Sequence, residues 1–218
     1  MKNYTNQIAQ KIKKEWQDYE QLNLEKFKNS DIYKNLNDTS ICIDCGANIG
    51  VISALLAEKG AFVYAFEPNP LCFKKLDYVA QKYPQIKVIK KGVLDKNCKI
   101  KLYHSDLTKE DPEFFSQSSS VCSTKDNINT NNFIKIDCID LCEFIENLDK
   151  KIDILKLDVE GAEFCILEKL IEKNLHLKIT SILVETHDAT IPELLEVSSL
   201  VRKLIKEKDI KNINLDWV

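Results

Sequence analysis

The run Ile43-Asp44-Cys45-Gly46-Ala47-Asn48-Ile49-Gly50 places an acid and two glycines where a short apolar stretch gives way to a helical pattern. Gly46 suits a tight turn, and Gly50 lets the new helix pack close to the strand, as in loops that hold nucleotides. A pyrophosphate-binding loop carries a further glycine at its centre, where the backbone must approach the ligand. Asn48 stands there instead, so the loop is built for a ligand without a diphosphate at that spot. Asp44 is a candidate acceptor for an ammonium group, directly or through water, and Ala47 and Asn48 belong to the same ligand-facing turn. About twenty residues further on, Phe66-Glu67-Pro68-Asn69-Pro70 sets a carboxylate where one can accept from both hydroxyls of a ribose. The competing reading of Glu67 is a helix cap before Pro70, a task that Asn69 can perform instead.

A second group lies far along the chain. Leu155-Lys156-Leu157-Asp158-Val159-Glu160-Gly161-Ala162-Glu163 and Val184-Glu185-Thr186-His187 each follow an apolar segment. Asp158, Glu160 and His187 are the catalytic candidates. His187 is the better general base by intrinsic pKa, with Asp158 second. Alternatively, Asp158, Glu185 and His187 can hold a divalent ion. The bland reading makes Asp158 and Glu160 helix caps and His187 an exposed loop residue. Lys156, inside its strand, reads as an ion-pair partner for a neighbouring carboxylate.

These residues need elements to bring them together. Apolar spacing predicts a helix over 5–28 (Ile8, Ile12, Trp16, Tyr19) and then strand–helix alternation. Strands are expected at 41–44, 61–66, 86–89, 99–104, 133–137, 152–157, 181–185 and 213–217. Helices are expected at 49–59, 70–83, from 141, at 162–173 and at 192–208. Residues 105–132 are polar and read as a mobile loop, with Ser118, Ser119 and Ser120 as candidates to line a second-substrate site. The pattern implies an α/β fold: a doubly wound, mostly parallel sheet with helices on both faces, and a ligand crevice at the carboxyl ends of the strands. Residues 1–37 are expected to form a helical extension or lid, and 38–218 the main domain. The exit of the third strand, around Gly92 and Val93, should border the ligand's base.

Composition narrows the partners. The 218 residues carry a net charge of -3, and Arg202 is the single arginine among 31 Lys+Arg. Without a basic surface or arginine forks, nucleic acid is not the expected partner. No apolar run is long enough for a transmembrane helix, and the first residues lack a signal-peptide core, so a cytoplasmic location is expected. The richness in Lys, Asn and Ile fits an AT-rich bacterial genome. Eight cysteines fall mostly in strand or helix segments without metal-ligand spacing, which favours reduced, packed thiols.

Together, the blocks at 43–50, 66–69, 155–163 and 184–187 resemble the FkbM family of class I methyltransferases, over roughly residues 38–190. The resemblance implies a Rossmann-like fold and S-adenosylmethionine as methyl donor, held by Asp44, Gly46, Ala47, Asn48, Gly50, Glu67, Pro68, Gly92 and Val93. It also implies a small-molecule acceptor, commonly a hydroxyl of a sugar or secondary metabolite. A surface-polysaccharide precursor leads. The alternatives are another small metabolite methylated at nitrogen or at a phosphate-type oxygen, and a non-catalytic module. The chain departs from the family pattern at its end: the usual antiparallel closing hairpin is hard to find, so either the last strand is absent or 99–104 supplements the sheet.

Overall fold

A computed structural model of the chain describes residue 14 and residues 21–109, 119–125 and 128–217. Six strands form one sheet: β1 (Ile41–Cys45), β2 (Phe62–Phe66), β3 (Ile86–Ile89), β7 (Ile152–Leu157), β8 (Ile179–Val184) and β9 (Ile213–Asn214). Their order is β3-β2-β1-β7-β8-β9, and every neighbouring pair is parallel. The chain winds outward from β1 to β3 and then returns to β1's other side as β7. That reversal opens a crevice above the carboxyl ends of β1 and β7.

The strands are apolar on both faces because helices cover both. Cys42 and Ile43 point to opposite sides, as alternation in a strand requires. Ile43 and Leu155 pack with α4 (Leu141–Leu148), α5 (Glu163–Glu172) and α6 (Leu195–Glu207). Cys42 and Ile154 pack with α2 (Val51–Glu58) and α3 (Pro70–Lys82). Asn69 caps α3 by accepting the Leu71 N–H at 3.1 Å, and Pro70 occupies the first turn, where a missing N–H costs nothing.

Between β3 and α4 the chain builds a second sheet of three strands, ordered β4-β6-β5, from β4 (Gly92–Leu94), β5 (Cys98–His104) and β6 (Asn129–Asp140). This corrects two expectations. Segment 99–104 does not supplement the main sheet, and the polar stretch from 105 is not loop throughout. Asp106–Lys109 is a 3-10 turn, and β6 begins at Asn129 because antiparallel pairing with β5 satisfies its backbone despite polar side chains. Residues 110–118, Ser118 among them, and 126–127 lie outside the described residues. β9 runs parallel to β8, and no antiparallel closing hairpin occurs in the main sheet among the described residues.

Of the expected first helix, 21–29 is helical, whereas Ile8, Ile12, Trp16 and Tyr19 lie outside the described residues. The later part of the expected extension packs into the body. Phe27 and Leu36 are buried in the core with α2, and the Phe27 ring meets Trp217 edge-on at 6.1 Å. The short helix α1 (Asp31–Lys34) is capped by Ser30. Among the described residues, no helix is long and apolar enough to cross a membrane.

Candidate active site

The β1 exit is shaped by two glycines for different reasons. At Gly46, φ is +78°, and an added Cβ would stand 1.7 Å from the Asp158 carbonyl oxygen. The turn and the loop leaving β7 both demand glycine there. At Gly50 (φ +92°), a Cβ would lie 2.9 Å from Leu76 Cδ1 and 3.3 Å from Val79. The close approach at Gly50 is therefore to α3 rather than to the strand. Asn48 between them takes φ +51°, an uncommon left-handed conformation for a residue with a side chain.

The amides of this loop are used inside the protein. Gly46 and Ala47 donate to the Phe66 carbonyl at 3.0 and 2.9 Å, and Gly50 donates to the Ala47 carbonyl at 2.8 Å. Asn48 N–H donates to Glu67 Oε2 at 2.8 Å. A pyrophosphate needs a cradle of free amides at this place, and these four are spoken for.

Glu67, just past β2, is 6% exposed. Its Oε1 accepts the Asn69 N–H at 2.7 Å, and the Asn69 side chain, not Glu67, carries the helix cap. Each carboxylate oxygen has a second lone pair for a ligand hydroxyl. Burial raises the Glu67 pKa to about 7, against the pull of the two amides and of Lys156.

A cleft of about 620 Å³, its open mouth included, runs from these groups. Gly46, Asn48, Glu67 and Pro68 form one wall; Lys91, Gly92 and Val93 close the end near β3; Asp158, Val159 and Glu160 flank the β7 exit. Three expected donor-site residues do not line it. Gly50 serves helix packing, Ala47 is core, and Asp44 is fully buried with its Oδ2 accepting from Ser53 Oγ at 2.6 Å. Asp44 therefore stands behind the wall and cannot take a ligand's ammonium group directly in this conformation. Its Oδ1 lies 3.5 Å from Lys156 Nζ.

The small sheet supplies a wall that the sequence reading missed. Leu102, Ile136 and Cys138 face the cleft, and their two-residue alternation was the available signal. Ser119 and Val121 complete it. Ser119 Oγ lies 2.7 Å from His104 Nδ1 and accepts from Asn69 Nδ2 at 3.3 Å. Ser120 turns the other way: it pairs with Tyr103 through the backbone and donates its hydroxyl to the Glu160 carbonyl at 2.7 Å.

The β7–β8 side is a network of charges. Lys156 Nζ donates to the Gly46 carbonyl at 2.8 Å and to Asp158 Oδ2 at 3.0 Å, which ties the β1 loop to the β7 exit. Burial opposes the charge on Lys156, but Asp158, Asp44 and Glu185 outweigh it and raise its pKa. Burial likewise opposes ionisation of Asp158, and Lys156 and His187 overcome it, holding the carboxyl below its usual range. Glu160 takes φ +60° and pairs with Lys125.

Glu163, fully buried, accepts from the Val159 and Gly161 amides at 3.0 and 3.2 Å and lies 2.9 Å from His187 Nδ1. His187 is 8% exposed and does not line the cleft; its Nε2 faces Glu160 at 3.4 Å and Asp158 at 3.9 Å. Burial disfavours its charge, yet Glu163, Glu160 and Asp158 raise its pKa to about 10. A pKa raised this way favours the imidazolium, which counts against His187 as the base and in favour of Asp158. Burial and the Asp158 charge push Glu185 up to about 7. None of the eight cysteines is in a disulfide.

The sequence also matches a known family. The model of the methyltransferase FkbM domain matches residues 44–211. No curated protein matches the chain. Among solved structures, an rRNA methylase from Streptococcus thermophilus is 14% identical, with a TM-score of 0.41 over 80% of this chain and 74% of that one. A precorrin-6y C5,15-methyltransferase from Geobacter metallireducens is 10% identical, with a TM-score of 0.40 over 80% and 65%. A fibrillarin pre-rRNA processing protein from Methanococcus jannaschii is 15% identical, with a TM-score of 0.41 over 79% and 57%. The family match spans most of the chain, and the donor that such a family and fold imply is S-adenosylmethionine: the chain belongs to the FkbM methyltransferase family.

Proposed function

We propose that the chain methylates a hydroxyl group of a small polyhydroxylated acceptor, such as a sugar or a surface-polysaccharide precursor, with S-adenosylmethionine as donor. The observation that carries the reading is the pairing of Glu67 with a β1 loop whose amides are already satisfied. This favours an adenosyl ligand gripped by its ribose over one bound through a diphosphate. Gly46, Asn48, Glu67, Pro68, Gly92 and Val93 would hold the donor. When bound, it supplies a methyl group already activated by a sulfonium.

The chain's own residues then have two tasks, orientation and proton removal. Alignment of the reacting groups is worth up to about 7–11 kcal/mol in favourable models. Asp158 reaches the cleft as a carboxylate held ionised by Lys156, so Asp158 is the group placed to accept the acceptor's proton. His187 and Glu163 fix the backbone around it and act as positioning residues. The carboxylates at this mouth disfavour a phosphate-type acceptor, because like charges would meet at short range.

Incubation of the purified chain with labelled S-adenosylmethionine and a panel of sugars, amines and phosphate esters tests the reading. Label is expected on a hydroxyl. Transfer confined to amines or phosphates would overturn it. So would a chain that NAD stabilises against heat and S-adenosylhomocysteine does not.

A further inference from the structure

Behind Asp158 lies a donor set that the cleft does not consume. One oxygen each of Asp158 and Glu185 and one ring nitrogen of His187 lie within 4.8 Å of one another. Donors around a single ion at about 2.1 Å stand roughly 3–4 Å apart, so little movement is needed to converge. His187 Nε2 and Asp158 Oδ1 are 3.9 Å apart.

Two features mark this group as more than a cluster of acids. His187 is 8% exposed, and its Nδ1 is tied to Glu163, which leaves Nε2 on the side of Asp158 Oδ1, at 3.9 Å, and of Glu160 Oε2, at 3.4 Å. A carboxylate that fixes the far nitrogen of a histidine is the usual support behind a metal-binding imidazole. Charge is also unbalanced. Asp44, Asp158, Glu160, Glu163 and Glu185 converge here against Lys125, Lys156 and the His187 imidazolium, whose proton an incoming cation would displace. Lys156 holds Asp158 Oδ2 and leaves Oδ1 toward His187, while Glu160 Oε2 is shared between Lys125 and His187.

We propose that Asp158, Glu185 and His187 form a binding site for one divalent cation of the Mn²⁺ or Zn²⁺ type, beside the acceptor end of the cleft. One nitrogen and two carboxylate oxygens suit such ions, and three protein ligands leave an open position. Resting on the methyl-transfer reading, that position faces the acceptor, where a bound hydroxyl is acidified. With an ion in place, Asp158 would serve as ligand through Oδ1, and the proton of the acidified hydroxyl would pass to solvent.

The test is ion binding by the full chain after chelator treatment, read by calorimetry and Mn²⁺ electron paramagnetic resonance at pH 8. One Mn²⁺ per chain is expected, weakened at least about tenfold by Glu185→Gln and by His187→Gln. Uptake of Zn²⁺ or Mg²⁺ instead, with the same dependence on both residues, supports the site with a different ion. Circular dichroism identifies a variant that has not folded, in which case the other is decisive. No uptake of any of the three ions, or uptake that neither substitution weakens, overturns the proposal. Stabilisation by S-adenosylhomocysteine is measured on the same samples. A chain that it stabilises but that takes no ion loses only the cation site, whereas one that it fails to stabilise loses the methyl-transfer reading.

Discussion

The two ends of the cleft are held by different physics. Where β1 and β2 hand over to their helices, the backbone closes on itself: Phe66, Ala47 and Glu67 take up the loop amides, and neighbouring backbone and side chains enforce the glycines. Where β7 and β8 end, charges dominate, with Lys156, Asp158, Glu160, Glu163, Glu185 and His187 within reach of one another. Each end holds one non-glycine residue in the left-handed region, Asn48 and Glu160, as strained sites often do. On the proposed reading, the contrast teaches that donor recognition rests on main-chain shape together with Glu67, while the chemistry at the acceptor rests on a balance of charge.

Substitutions can break that division. Asp158→Asn keeps shape and removes charge, so turnover should fall about 10²–10⁴-fold while the S-adenosylhomocysteine dissociation constant changes little, as calorimetry would show. A comparable loss of ligand binding would mean that the two ends are not separate. Gly46→Ala attacks shape instead. The collision with the Asp158 carbonyl and the unfavourable φ should together cost about 3 kcal/mol or more in urea unfolding, with ligand stabilisation lost. A cost below about 1 kcal/mol would show that the loop yields.

Glu67→Ala sharpens the comparison from the donor side. Loss of a charged hydrogen-bonding partner should weaken S-adenosylhomocysteine by about 1.5–3 kcal/mol, which thermal shift or calorimetry can read. Unchanged affinity would remove Glu67 from the ribose.

The smallest expected effect is on pH dependence. Glu67 has a folded pKa of about 7, above its ordinary 4.5. Its contribution is therefore fully present below pH 4.5 and lost as pH rises through about 7. His187 has the same sign in a higher window, from 6.5 to about 10. The ligand-free chain should thus lose melting temperature from pH 5 to 7.5 more steeply than Glu67→Gln does. Parallel curves would place the Glu67 pKa near its ordinary value.

Much of the fold is readable along the chain, because periodicity is local. The apolar run at β7 and the α3 start at Asn69-Pro70 need no distant partner to be recognised. β4 and the early start of β6 escape such reading, since Gly92–Leu94 and Asn129 become strand only through pairing with β6 and β5. The site divides in the same way. Gly46 and Glu67 announce themselves by type and spacing, but Asp44 looks equally available until Ser53 and burial close it off. His187 looks like a base until three carboxylates surround it.

By itself the chain's order of residues determined the strand–helix alternation, the glycine turn and the acid after β2. These depend on conformational preferences and contacts a few residues apart. Only the folded molecule decided which carboxylates meet which cations. Lys156 reaches Gly46 across 110 positions because β1 and β7 lie side by side in parallel register. Protonation states follow from burial and from neighbours at 3–4 Å, and those are fixed when distant strands come together, not before.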